Sequence, residues 1–269
     1  MRELDQPPEG HAYGAIKRVA IVGPGRLGSV IANALTQAGV TVDGPYGPRD
    51  PVAKQLCADA RGRAALDAVL LCVPDGEIPT VASVIPGGAP VGHCSGATTL
   101  DVLAPHERFS LHPLMTVPAD APAHVLAGAG AAVAASTPRT LALAVALAQL
   151  LAMRPIEIAE TDRAAYHAAA CIASNFLVTL EAAAERVAAT AGLSAELLVP
   201  LVRATVENWA ALGPEAALTG PVARGDERTI ERQRAALAER APELLELFDV
   251  SVEATRRLAA RPTPATVAA

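Results

Sequence analysis

Val19-Ala20-Ile21-Val22-Gly23-Pro24-Gly25-Arg26-Leu27-Gly28 reads as an apolar strand, a glycine turn and the opening of a helix. The β-branched run Arg18 to Val22 suits a strand, and the alanine-rich run Arg26 to Ala38 suits a helix. Each glycine of such a turn has its own task. Gly23 permits the sharp reversal, Gly25 lets backbone approach a pyrophosphate, and Gly28 lets the helix pack close against the strand. The helix start then turns its free N–H groups towards the phosphates. The pattern alone is unspecific, and a tight turn without a ligand has the same spelling. Its place, after a first strand and before a helix, is the context that a dinucleotide site requires. Gly23, Pro24, Gly25, Arg26, Leu27 and Gly28 are therefore candidate cofactor contacts.

The end of the next strand, Val40 to Val42, bears on which dinucleotide. Asp43 lies 20 residues beyond Gly23, where an acid would bind the ribose hydroxyls of NAD. Arg49 follows in a loop rich in proline and glycine, where its guanidinium would fork a 2′-phosphate with help from Arg26. The two signals oppose each other. The expected cofactor is NADP, with NAD the less favoured choice.

Further outward, short β-branched runs alternate with helical ones. Pro51 to Asp59 reads as a short helix, and Ala68 to Val73 as a strand covered on both faces. Weaker strands fall at Pro90 to Cys94, Arg108 to Leu111, Gly130 to Ala134 and Ile156 to Ile158. Thr137 to Ala152 is a helix with Thr137 as its cap and Pro138 in its first turn. This alternation predicts an α/β fold: a Rossmann, doubly wound, mostly parallel sheet over 17–160. After Glu160 only helices follow, at Thr161 to Ala191, Ser194 to Leu212, Asp226 to Arg240 and Pro242 to Ala260. Residues 161–269 are expected to form an all-α domain for substrate binding and dimerisation, and 1–16 a mobile tail.

Composition narrows the class. Of 269 residues 51% are apolar, enough for a sizeable core, yet only 3% are aromatic, so alanine, leucine and valine must fill it. A net charge of −6 argues against a nucleic-acid partner. Cys57, Cys72, Cys94 and Cys171 are scattered without a CxxC pair, which argues against a disulfide framework and against a zinc site. Met1 to Gly14 has no apolar stretch of the signal-peptide kind, and the apolar run Leu141 to Met153 is too short to span a bilayer. The expectation is a cytoplasmic protein with no membrane partner and no metal, acting on a small molecule.

Further segments carry a resemblance. They are Leu71-Cys72-Val73-Pro74-Asp75, His93-Cys94-Ser95-Gly96, Ser110-Leu111-His112-Pro113-Leu114, the stretch from Tyr166-His167 to Ser174-Asn175, and Leu218-Thr219-Gly220-Pro221-Val222-Ala223-Arg224-Gly225-Asp226. With the glycine turn they resemble the Rossmann-like oxidoreductases that carry a C-terminal helical domain of unknown function. That family is similar to pyrroline-5-carboxylate reductase, to deazaflavin-dependent NADP reductases and to some ketopantoate reductases. The resemblance spans about Lys17 to Leu258. It implies a 6-phosphogluconate dehydrogenase-like helical domain and cofactor contacts at Val73, Pro74 and Asp75; the long alanine-rich helices, with Ala182 to Ala184, Ala188 and Ala189, pack closely and suit a homodimer through the C-terminal helices. Cys94 departs from it, standing where an aliphatic residue is expected.

Chemistry should sit beyond the carboxyl ends of the strands. Ser95 and Gly96 leave room there for a nicotinamide ring, and His112 follows a strand. On an unbroken helix with about 100° per residue, Ser174 and Cys171 fall within about 40° of His167, and Asn175 about 80° from it. This polar arc reads either as a substrate face or as a helix–helix hydrogen-bond cluster. Only Lys17 and Lys54 are lysines, and neither suits the crevice, so His112 and His167 are the first candidates for proton transfer, with Asn175 orienting the substrate. Ser95, Ser174, Thr219 and Arg224 are candidate substrate contacts. The expected activity is NADP-dependent hydride transfer to a small carbonyl or imine acid such as 2-dehydropantoate. The alternative is a protein that senses NADP(H) without turnover.

Overall fold

The computed structural model describes residues 2–3, 14–48, 50–51 and 65–262. The helix expected over Pro51 to Asp59 and the phosphate-reading role of Arg49 lie outside the described residues.

Strands β1 (Arg2–Glu3), β2 (Arg18–Val22), β3 (Thr41–Tyr46), β4 (Ala68–Leu71), β5 (Val91–His93), β6 (Arg108–Leu114), β7 (Gly130–Ala135) and β8 (Arg154–Glu157) form one sheet in the order β1-β8-β7-β6-β5-β4-β2-β3. Strands β2 to β6 run parallel. β7 lies antiparallel to β6, β8 runs parallel to β7, and β1 is antiparallel to β8. This is the doubly wound, mostly parallel sheet that the alternation predicts. The span 1–16, read as a tail, contributes Arg2–Glu3 to the sheet edge beside Ile156 and Glu157.

Buried side chains explain the strand runs. Every residue of β2 and β4 is buried, because helices cover both faces. On one face Val19, Ile21 and Leu70 join Ile31, Leu35, Leu143 and Leu147. On the other, Ala20, Val22 and Leu71 meet Ile78, Val81 and Leu103. β2 has β3 on one side and β4 on the other, so the winding direction reverses at β2. Open α/β sheets bind ligands at such a point, beyond the carboxyl ends of the strands.

Two expectations change. β3 runs on through Asp43 to Tyr46 rather than stopping at Val42. The long helix after Glu160 is not uniform. A 3-10 turn (Glu160–Asp162) leads into a helix (Arg163–Cys171), a π-helical turn (Ile172–Phe176) and a second helix (Leu177–Thr190). Together Glu160–Thr190 is a helical stretch long and apolar enough, by length and composition, to cross a membrane. By compactness the chain divides inside this stretch, into units Met1–Ser174 and Asn175–Ala269, and not at its start. In the second unit the helices are Leu177–Thr190, Val199–Leu212, Pro214–Ala217, Glu227–Arg240 and Leu245–Ala259.

Candidate active site

The glycine turn is built as its spelling requires. Gly23 has φ +114°, and a Cβ there would collide with the Cys72 carbonyl. A Cβ on Gly28 would collide with the Gly23 carbonyl oxygen, so helix Arg26–Gln37 can seat on the turn only with glycine at this position. Gly25 is the opposite case: among the described residues nothing lies within 4 Å of an added Cβ. It is also the N-cap of the helix, and no side chain caps that end. The N–H groups of the first turn are thus left without a side-chain cap at the switch point, with exposed Pro24 and Arg26 beside them. These residues fit a pyrophosphate.

Asp43 does not serve as the ribose ligand considered above. Its carboxylate is buried and paired with Arg18, Nε to Oδ2 at 2.7 Å. Arg18 and Asp43 lie on the adjacent strands β2 and β3, and their pairing uses the carboxylate inside the fold.

Beyond β4 and β5, Ser95 joins the two strand ends. Its hydroxyl donates to Asp75 Oδ2 at 2.7 Å and accepts the N–H groups of Ala97 and Thr98 at 3.2 and 2.9 Å. Gly96 then passes close beneath two histidines. A Cβ there would lie 2.8 Å from His167 Cδ2 and 2.9 Å from His112 Cε1. The structure thus brings together Asp75, Ser95, His112 and His167, four residues singled out from the sequence.

It also adds partners that sequence reasoning missed. His112 Nδ1 lies 2.7 Å from the Tyr166 hydroxyl, and the two rings meet edge to face. The rings of His112 and His167 are 6.1 Å apart. Arg163, 2% exposed, donates to Glu160 Oε1 at 2.6 Å, to the Ser95 carbonyl at 3.4 Å and to the Ser110 hydroxyl. Glu160 also accepts the Leu100 N–H at 2.8 Å. A buried charge is tolerable only when so paired. His93, wholly buried, accepts the Ser95 N–H on Nδ1 at 3.2 Å. Tyr166 stands directly before His167 in the chain, and Glu160 and Arg163 have the i, i+3 spacing of a helical ion pair. Those were the signals available.

Charge states follow from burial. Burial, then the neighbouring His167 and Arg163, lower His112 to about 4. Burial raises Tyr166 to about 12. Near neutral pH His112 is a neutral imidazole, and the imidazolium acid considered from the sequence is not available there. It can pass a proton between its two nitrogens, with Tyr166 as its partner. Cys171 Sγ lies 3.9 Å from His167 Nδ1, one helical turn on. The π turn then breaks the 100° spacing, so the arc drawn through Ser174 and Asn175 does not hold as a regular wheel.

Ser174 closes the first unit, and Asn175, Thr219 and Arg224 belong to the second. There Asn175 accepts the Thr179 hydroxyl on its carbonyl at 3.1 Å. Arg224 lies in the turn before Asp226, which caps helix Glu227–Arg240 by accepting Thr229 N and Oγ1. Among the described residues no group of three or more His, Cys, Asp or Glu could hold a metal.

The sequence and fold can now be placed. Residues 130–255 match the family model DUF2520, a domain of unknown function. The DUF2520 span starts at β7 and so includes the end of the sheet together with most of the helices of the second unit. No curated protein matches the sequence. Among solved structures, the chain is similar to the "putative NADP oxidoreductase BF3122" of Bacteroides fragilis, at 20% identity and TM-score 0.75, over 90% of this chain and 98% of that one. Protein TM1727 of Thermotoga maritima is 25% identical with TM-score 0.74, over 90% of this chain and all (100%) of that one. A reductive aminase of Aspergillus terreus in complex with NADPH and ethyl levulinate is 15% identical with TM-score 0.62, over 90% of this chain and 94% of that one.

Proposed function

We propose that this protein is an NADP-dependent reductase of a C=N or C=O bond in a small molecule. The observation that carries the reading is one unit holding both an uncapped helix start at the sheet's switch point and the His112–Tyr166 pair, with His112 on β6 of the same sheet. The described turn fits the pyrophosphate through Gly23, Gly25, Gly28 and the N–H groups after them. Arg26 is the described candidate for a 2′-phosphate, and Asp43, paired with Arg18, does not compete for the ribose hydroxyls. The oxidoreductase of Bacteroides and the reductive aminase, named with NADP and NADPH, share this fold and support the choice.

When bound, the nicotinamide supplies the hydride. The chain's own residues hold the substrate atom and its proton. Tyr166, protonated at neutral pH, donates a hydrogen bond to the oxygen or nitrogen that gains electron density, and His112 relays the proton behind it. His167 borders the same space under Gly96. Asp75 and Ser95 fix the loop ends around it. A substrate that arrives as a protonated imine needs no strong acid, which suits a site whose tyrosine and His112 are both weak proton donors near neutral pH.

The test is NADPH fluorescence on mixing, followed by loss of NADPH absorbance with a panel of cyclic imines, ketone–amine mixtures and 2-keto acids. Binding with oxidation of at least one member, and a drop in kcat of about 100-fold in Tyr166→Phe at unchanged NADPH affinity, is the expected result. Binding without oxidation across the panel favours a sensor of NADP(H), and absence of binding overturns both readings.

A further inference from the structure

We propose that Cys72 and Cys94 form a reversible disulfide beneath the glycine turn, and that closing it weakens the dinucleotide site; the second half rests on the NADP reading above. The sequence offers no hint of the pair, because 22 residues separate the two cysteines. The sheet brings them together. Cys72 follows β4 and Cys94 follows β5, and the Cys94 N–H donates to the Leu71 carbonyl at 3.1 Å, which locks the two strand ends in register. Their sulfurs stand 3.6 Å apart. Neighbouring strands lie about 4.8 Å apart, inside the range of about 4.4–6.8 Å that a disulfide accepts between Cα atoms. A bond of about 2.05 Å needs the sulfurs to close by about 1.5 Å, within reach of side-chain rotation plus a small strand shift.

Such a shift is felt directly overhead. Cys72 Cβ lies 3.2 Å from the place a Gly28 Cβ would take, and the Cys72 carbonyl fills the space beside Gly23. Moving Cys72 therefore disturbs the two glycines that seat the helix. Neither thiol takes part in the His112–Tyr166 relay. Cys72 is half-buried and Cys94 buried, so Cys72 is the thiol that a small oxidant reaches first. The hydrogen bond with Cys72, and burial, hold the Cys94 thiol above its usual range.

With hydrogen peroxide as oxidant the step balances. The Cys72 thiol gives up its proton and its sulfur attacks one peroxide oxygen; the O–O bond breaks, the departing hydroxide takes up that proton as water, and Cys72 is left as a sulfenic acid. Cys94 Sγ then attacks that sulfur, the S–O bond breaks, and a second water leaves with the Cys94 proton. Two thiols lose two electrons, one peroxide gains them, and a dithiol reverses the change.

The experiment treats the full chain with hydrogen peroxide and reads intact mass, a peptide map and NADPH affinity. The expected result is loss of two hydrogens, a Cys72–Cys94 link in the map, and affinity lowered about tenfold and restored by dithiothreitol. Cys94→Ala should keep the reduced protein's affinity and lose its response to peroxide. An unchanged mass, or a link mapped to Cys57 or Cys171 instead, overturns the proposal. So does a cross-linked protein that binds NADPH as tightly as the reduced one. If reduced protein binds no NADPH at all, the dinucleotide reading fails with its consequence, while a mapped link still establishes the bridge.

Discussion

Gly96 sets the room available to the two histidines. Adding a methyl group there drives His112 and His167 outward, since its Cβ would stand 2.8 and 2.9 Å from them. Gly96→Ala should lower kcat by more than tenfold while NADPH affinity, set by the glycine turn, stays the same; stopped-flow binding and steady-state turnover separate the two. His93 supplies a second prediction at this scale. Burial, then Arg163, lower it to about 4, whereas an unfolded histidine takes up its proton near 6.5. Between those values the unfolded chain holds more protons, so stability falls as pH drops from about 6.5 to about 4 and is flat in this contribution above and below. The loss is on the order of 3 kcal/mol for this fully buried ring. Urea unfolding at pH 7, 6 and 5 should show it, and His93→Gln should lessen the slope, the remainder coming from buried His112 in the same pH window. What the sequence could show of the site was uneven at this scale. Gly23, Gly25 and Gly28 were readable because local backbone geometry dictates them. The fate of Asp43 was not, because it depends on Arg18 across a strand pair. Nor was the contact of His112 with Tyr166, which joins residues 54 apart.

At the scale of elements, local rules held wherever the signal was local. Thr137 caps helix Pro138–Leu150, accepting Thr140 N at 3.2 Å, while Thr140 Oγ1 accepts the Thr137 N–H in return. Thr137→Ala should cost about 1 kcal/mol, read as a lower urea midpoint with unchanged m-value. Asp226 before Glu227–Arg240 was equally legible from its residue type and position. The long helix after Glu160 was legible in extent but not in texture. Nothing in Ile172-Ala173-Ser174-Asn175-Phe176 announces i to i+5 bonding, because a π turn differs from its neighbours by a shift in hydrogen-bond partner and not by composition. A wheel drawn at fixed angular steps therefore lost phase after Cys171.

At the scale of the whole molecule, the second unit is short of buried apolar residues. Among its described residues only Ala188, Ile230, Ala241 and Val252 are buried hydrophobics. Phe176, Val178, Leu180, Leu201, Trp209 and Leu212 stay exposed, Leu201 to 65% and Trp209 to 56%. Phe176 and Leu180 have i, i+4 spacing, and Trp209 and Leu212 have i, i+3 spacing, so each pair shares a helix face. Exposed apolar surface at such spacing is the mark of an association surface. The prediction is a homodimer through these helices, seen as twice the chain mass by light scattering. Dilution should shift the emission of Trp209, the single tryptophan, to the red. Leu201→Glu with Leu212→Glu should give monomer.

Arg163 is buried, with Glu160 as its counter-ion and the Ser95 carbonyl and Ser110 hydroxyl as its further partners. Glu160→Gln alone would leave this guanidinium short of its counter-charge and should lower the urea midpoint. Replacing both residues together by an uncharged pair of matched volume should therefore be tolerated better than replacing either one.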